Sequence, residues 1–396
     1  MDRNQLDPSV PSTTEAKKIP LIIKVYAVLC ILSGVGTLPS VAVFMWQVIT
    51  ALINGNAAAK LGDNTLVAVG LIVAGIMLSA ASAIILIVFG LDLIKDQRRN
   101  AARLSYVLIA FTVVELLVDV MLQGIGPFLL RPAVQLVILI ALSATVDPTL
   151  RQERELQRRL QEMLDRDAAA EGMLGRDETG EGYIKLNYFN LFWVFWHMVV
   201  VDPGVYQDRA GMLFGPFSPI YGFGAVLMTM ALNRFYKKNP LIIFLVSALI
   251  GGAFEVFVGW FMQTSFGVVS WSYSHIRLFG MPDPIAVLTG GRTCTPFACM
   301  WGLGGLIWIK VLLPRLLKLI NMIPWKRRYS ATVILTAVML IDGVMTLQSL
   351  DYWYQRVNGT VRNIPVAQFY DKHFDNEYME NRFQSMTMSP KDATRV

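Results

Sequence analysis

Apolar runs separated by polar connections dominate the chain, at about 20–50, 66–94, 104–122, 127–146, 188–202, 213–233, 241–263, 297–314 and 331–350. Most approach the ~20 residues that a helix needs to cross the hydrocarbon of a bilayer. The first is long enough to tilt or to run past the hydrocarbon, and 188–202 is short and carries His197. The pattern predicts an all-α, polytopic helical membrane protein with about nine transmembrane helices. They group into a four-span module over 1–146 and a five-span module over 187–350. Residues 147–186 between them are dense in Arg, Glu and Asp, with Leu156, Leu160 and Met163 at helical spacing, which predicts a charged cytoplasmic linker helix. It reads first as a solvated linker and second as a docking helix for a cytoplasmic partner. Residues 351–396 form a tail whose Tyr370, Phe374, Tyr378 and Phe383 predict an amphipathic helix on the membrane surface or capping the bundle.

Composition agrees with this class. Of 396 residues 54% are hydrophobic and 16% charged, against about 25% charged in soluble domains. The net charge of +6 does not point to nucleic acid, because the basic residues sit in inter-helix connections and act as topology determinants. Lys17, Lys18 and Lys24 precede or enter the first run; Lys95, Arg98, Arg99 and Arg103 follow the second; Arg151, Arg154, Arg158, Arg159 and Arg166 follow the fourth. Arg234, Lys237 and Lys238 follow the sixth, and Arg315, Lys318, Lys326, Arg327 and Arg328 lie between the eighth and ninth. All fall on one side when nine spans are counted. The N-terminus is then cytoplasmic and the tail outside, in a multi-pass protein of the cell membrane with lipids as its constant partners. Residues 1–19 are polar and the run after them is longer than a signal h-region, so no cleaved leader is expected.

Much chemistry is excluded. No Gly-x-x-x-x-Gly-Lys-Ser/Thr loop is present to wrap phosphates, so any ATP belongs to a separate ATPase subunit. His197, His275 and His373 are far apart, and Cys30, Cys294 and Cys299 show no ligand spacing, so no metal and no cofactor are expected. No nucleophile elbow is present, and no catalytic residue is assigned.

The positive signal is polar. Arg209 and Gly211-Met-Leu-Phe-Gly-Pro-Phe-Ser-Pro-Ile-Tyr-Gly-Phe-Gly224 open the sixth run, with Gly215, Pro216, Pro219 and Gly222 expected to line the site with backbone. Glu255 lies late in the seventh run, Arg292 just before the eighth, and Asp342 midway along the ninth. All four charges map to the outer half of the membrane. They are either ion bridges locking the bundle or a substrate or ion site reached from outside. Tyr221, Trp271 and Tyr273 join the candidates, although aromatics there also fit an interfacial belt.

Taken together, Arg209 with Gly215-Pro-Phe-Ser-Pro-Ile-Tyr-Gly-Phe-Gly224, Glu255 with Gly259, Trp271-Ser-Tyr-Ser274, Gly291-Arg-Thr-Cys294 and Trp301-Gly302 resemble the type IV ABC-transporter permease family of bacterial membrane proteins. Asp342 and Asn376-Glu-Tyr-Met-Glu-Asn-Arg-Phe383 extend the likeness to about residues 187–386. The family tends toward Asn-Arg-Gly where this chain has Asp208-Arg209-Ala210, and toward Trp-Asp-Tyr-Ser at Trp271-Ser272-Tyr273-Ser274. Its glutamate in the first of these spans is absent here, with His197 and Asp202 nearby. The resemblance implies a permease component of the bacterial cytoplasmic membrane working with a separate ATPase. A membrane-embedded enzyme on a lipid or lipid-linked substrate and a membrane scaffold are the alternatives. Reporter fusions at 98, 160, 236 and 327 are expected to report cytoplasm and fusions after 351 the outside; a cytoplasmic tail would overturn the odd span count.

Overall fold

The computed structural model describes residues 20–54, 65–146, 188–200, 211–360 and 363–395. The linker helix expected over 147–186 and the candidate Arg209 lie outside the described residues. The chain divides into two compact units, the first covering most of the chain to 163 and the second covering 164–395 with 123–125.

The first unit contains α1 (Leu21–Ile53), α2 (Thr65–Ile94), α3 (Arg98–Gln123) and, after a turn at Pro127–Leu129, α4 (Leu130–Val146). Lipid tails are as apolar as leucine, so helices in a bilayer associate by close packing at small residues. Here α1 and α2 do so reciprocally. A Cβ at Gly34 would stand 2.6 Å from the Ala83 carbonyl oxygen, and one at Gly90 would stand 2.6 Å from that of Ala27. Ala27, Cys30, Phe89, Leu93, Leu108 and Leu139 form the core around this seam.

The second unit contains α5 (Tyr188–Val199), α6 (Pro219–Leu232), α7 (Pro240–Phe266), β1 (Val268–Val269), β2 (Arg277–Leu278), β3 (Met281–Pro282), α8 (Pro284–Leu288) and α9 (Thr295–Ile307). A π-helical turn over Trp308–Leu312 leads into α10 (Leu313–Asn321), and then come α11 (Trp325–Val357), α12 (Pro365–His373), α13 (Asn376–Arg382) and β4 (Thr387–Met388). β1 pairs antiparallel with β4, Val268 opposite Met388, and β2 with β3. Leu232, Ile243, Ile309, Leu313, Leu317 and Trp193 pack the core.

Among the described residues six helices are long and apolar enough to cross a membrane: Leu21–Ile53, Leu66–Ile94, Arg98–Gln123, Pro240–Phe266, Thr295–Ile320 and Arg327–Val357. The runs at 127–146, 188–202 and 213–233 give shorter helices of 17, 12 and 14 residues. Hydropathy marks apolar composition but does not see where Pro216 and Pro219 interrupt the helical ladder. The tail is not one helix. α12 ends at its C-cap Phe374, and Asp375 caps α13 by accepting the Tyr378 amide at 2.8 Å. Arg356, at the end of α11, holds both by bonding the Phe374 carbonyl (2.8 Å), Asn376 (2.7 Å) and Asp371 (2.8 Å). The tail therefore folds against the second unit and caps it.

Gly90→Leu is expected to destabilise the first unit by about 2 kcal/mol or more, since the new side chain meets backbone that cannot yield. Thermal unfolding in detergent measures this, and an unchanged midpoint would refute the seam.

Candidate functional site

Glu255 lies about three turns before the end of α7, roughly 16 Å along its axis at 1.5 Å per residue. Its side chain is 6% exposed. The Tyr273 hydroxyl donates to Oε1 at 2.9 Å and the Thr293 hydroxyl to Oε2 at 2.8 Å. Both donors come from the 267–294 connection, so that connection folds back from the end of α7 to its middle. Burial, reinforced by the neighbouring Glu255, pushes the Tyr273 phenol up, so it stays a donor. Its ring stacks on Phe297 with centroids 4.3 Å apart.

The return of the chain sets where α9 begins. Thr293 is at Glu255, the Trp301 ring packs on Gly251, Gly302 packs on Phe244 and Gly305 on Ser247. α9 thus runs antiparallel to α7 from its midpoint toward its Pro240 end. α6 starts at the same level. A Cβ at Gly224 would meet Trp301 at 3.1 Å, and the Trp308 indole donates to Thr229 at 2.9 Å, so α6 and α9 run side by side in one direction. Both open with proline in the first turn, Pro219 and Pro296, a residue that lacks the N–H a helix start would leave unpaired. α5 ends beside them, its Val199 carbonyl accepting the Ser218 amide at 2.7 Å. At about 18 and 21 Å, α5 and α6 fall short of the ~30 Å hydrocarbon. Two helix N-termini, the positive ends of their dipoles, therefore stand near Glu255.

Asp283 completes this arrangement. It is fully buried. Its Oδ1 accepts the Ala286 amide at 2.9 Å and the Thr295 amide at 3.1 Å, and its Oδ2 lies 3.2 Å from the same Thr295 amide. One carboxylate thus caps both α8 and α9. Burial opposes its charge, yet these bonds together hold its carboxyl below the usual range.

Asp342, 4% exposed, organises a second cluster. Its Oδ1 accepts the Phe214 amide at 3.3 Å and the Thr346 hydroxyl at 3.2 Å, while Thr346 accepts the Leu213 amide at 3.0 Å. Arg382 of the tail donates to the carbonyls of Met212 (2.8 Å) and Gly215 (2.5 Å), and Tyr378 to that of Leu213 (3.4 Å). The Gly-Pro-rich segment therefore sends its N–H groups to α11 and its C=O groups to the tail.

Arg292 belongs to neither acid. Its guanidinium donates to Gln263 at 2.7 Å and to the Thr289 carbonyl at 3.1 Å. The Trp271 indole donates to the Arg292 carbonyl at 2.9 Å, fixing the backbone beside Gly290 and Gly291, both left-handed. Ion bridges between these acids and Arg292 are not formed among the described residues; hydroxyl and amide donors stand in their place. Tyr221 is partly exposed in the first turns of α6, near Tyr273. Gly215 is left-handed ahead of Pro216, Pro219 starts α6, and Gly222 packs on Phe195.

Several residues were missed from sequence. Asp283-Pro284 had a signal, since Asp before Pro is a helix-start pair. Thr293, Gln263 and Thr346 had none beyond polarity. In the first unit, Glu115 and Asp119 sit four apart on α3, and Glu115 lies beside Ser79 and Ser82 of α2. Glu115 Oε1 and Ser82 Oγ are buried without a hydrogen-bond partner. Acids within an apolar run were the available signal. Among the described residues no group of three or more His, Cys, Asp or Glu is placed to hold a metal ion.

Residues 191–347 match the model of the family described as "Putative ABC-transporter type IV". The match contains Glu255, Arg292 and Asp342 and bears out the resemblance read from the motifs over that span. No curated protein and no solved structure matches the chain. With six apolar helices of crossing length among the described residues, it is a multi-pass membrane protein whose residues 191–347 are similar to that family.

Asp283→Ala is expected to lower thermal stability in detergent and to remove part of the acid sensitivity. A carboxyl held low in the folded state contributes fully above its unfolded value of about 4 and loses that contribution as pH falls through the folded value. Melting profiles of both proteins from pH 7 down to about 3 decide this, and coincident profiles would show that the double cap carries no stability.

Proposed function

We propose that the chain is a permease component of a transport system in the bacterial cytoplasmic membrane. In this reading nine helices enter or cross the bilayer, as a four-span module over 1–146 and a five-span module over 187–350, joined by a cytoplasmic linker. The substrate or ion site centres on Glu255. Tyr273, Tyr221, Trp271 and Arg292 surround it, and Gly215, Pro216, Pro219 and Gly222 supply backbone walls. Asp342 stands toward the outer side, and the sequence assigns Arg209 to the same side.

One observation supports the reading above the others. α6 and α9 both begin beside a buried carboxyl that hydroxyls, and among the described residues no cation, hold. Transport proteins break helices at mid-bilayer to aim helix ends and backbone groups at a ligand. A bundle held only for strength gains nothing from an uncompensated acid at that depth.

Energy would come from a separate ATPase subunit, in keeping with the family match. The Pro240 end of the second unit suits such a subunit. Arg234, Lys237, Lys238, Arg315, Lys318 and Arg327 are exposed there, and residues 303–341 contain no acid.

The test is ATP turnover by complexes captured through photocrosslinkers at Lys237 and Lys318 and reconstituted in vesicles. Glu255→Gln is expected to leave capture intact and to cut turnover about tenfold, equivalent to ~1.4 kcal/mol of lost coupling. Capture with turnover indifferent to Glu255→Gln would refute the site. Absence of any captured ATPase, with a lipid-linked product altered instead, would transfer the case to a membrane enzyme.

A further inference from the structure

We infer that residues 384–395 are a releasable strap that closes the Phe266 end of the second unit over the Glu255 site; the inference rests on reading that cluster as the site. The tail has two parts that differ in how they are held. Over 363–383, Ala367, Tyr370, Phe374, Met379 and Phe383 are buried, so this part is docked by apolar burial. Over 384–395 no apolar side chain is buried, and Thr394 is the one buried residue.

Polar contacts hold this distal part. β4 adds a two-residue pairing to β1, and the Ser389 amide donates to the Gly267 carbonyl at 2.7 Å. Asp392 accepts from Gln263 at 3.4 Å, and the Thr394 amide donates to the Thr264 carbonyl at 2.9 Å. Arg395 donates to the Ser265 carbonyl at 2.7 Å, pairs with buried Asp351 and lies over the Tyr354 ring. The latch is incompletely satisfied: Arg395 Nη2, Ser265 Oγ and Gln355 Oε1 are buried without a partner. Segments held by polar contacts with little apolar burial open at lower free energy than the apolar core.

The strap's grips fall on the residues that position the site. Asp392 holds Gln263, Gln263 holds the Arg292 guanidinium, and the Arg292 carbonyl holds Trp271. Thr293, the next residue, donates to Glu255. Releasing the strap frees Gln263 and the 267–269 start of the connection, while 363–383 and the Gly-Pro-rich segment stay docked. The strap is thus a gate on the route from the Phe266 end to Glu255.

The native Cys294, fully buried beside Thr293, reports opening. In full-length protein carrying Cys30→Ser and Cys299→Ser, its labelling by a membrane-impermeant methanethiosulfonate is followed by peptide mass spectrometry. Arg395→Ala is expected to speed labelling about tenfold, the factor that loss of one charge-assisted hydrogen bond corresponds to. Val268→Cys with Met388→Cys, oxidised to a disulfide across β1 and β4, is expected to slow it below the parent rate, reversibly on reduction. Equal rates in the crosslinked and reduced forms overturn the strap, whether or not Arg395→Ala folds. The two readings separate cleanly. Unmoved labelling with turnover still sensitive to Glu255→Gln sinks the strap alone, and gated labelling without that sensitivity sinks the site alone.

Discussion

Inside a bilayer no water is available to satisfy a backbone N–H or C=O, so a helix that ends at membrane depth must find every partner within the protein. On the reading proposed above, the second unit meets this constraint twice, at the starts of α6 and α9. Asp283 accepts for two helix starts at once, and Val199 accepts the Ser218 amide. The Gly-Pro-rich segment divides its needs between Asp342 with Thr346 on one side and Arg382 with Tyr378 on the other. A buried polar group left unmade costs about 1–3 kcal/mol. These side chains are therefore what permits two helices to stop where Glu255 stands, rather than ornaments of a bundle that would exist without them.

The same constraint bears on why, among the described residues, Glu255 is held by hydroxyl donors and no cation. A buried ion pair must repay the desolvation of two charges, and its geometry then leaves little capacity for anything else. Hydroxyl donors and helix N-termini stabilise a carboxylate without occupying it as a counter-ion does. On the proposed reading the group stays available to a proton, an ion or a charged substrate group. Asp342 differs: backbone amides and the tail's Arg382 engage its surroundings, which suits a residue that shapes a loop.

The broad architecture was legible because bilayer solvation writes itself into composition. Runs such as 66–94 and 241–263 need only hydropathy, and α2 and α7 occupy them. Glu255, Asp342 and the Gly-Pro-rich segment were legible as well, since charge and proline are costly in apolar runs. Depth was not. Glu255 read as late in its run, yet three further turns of α7 follow it, because the helix continues through Gln263 and Thr264 to a left-handed Gly267. The partners were not legible either. Arg292 was expected to meet an acid, but the turn at Gly290 and Gly291 aims it at Gln263, a choice made by backbone geometry rather than by charge. Neutral residues such as Thr293 carry no pattern that separates a ligand of Glu255 from an ordinary loop threonine.

A site made from connections instead of continuous helices also lacks their intrinsic stiffness, and a binding constellation works only if its supports are themselves fixed. This gives the tail its physical place. Arg382 reaches the segment before α6, and Asp392 reaches through Gln263 and Arg292 to the segment before α9. One stretch of chain therefore braces both irregular segments, and by different means: apolar burial anchors the half that holds the Asp342 cluster, and hydrogen bonds with the Arg395–Asp351 ion pair anchor the half on the Glu255 side. With the strap proposed above, rigidity at Asp342 is permanent and rigidity at Glu255 is conditional. That asymmetry is what a site needs if it is to be stable as a structure and still exchange what it binds.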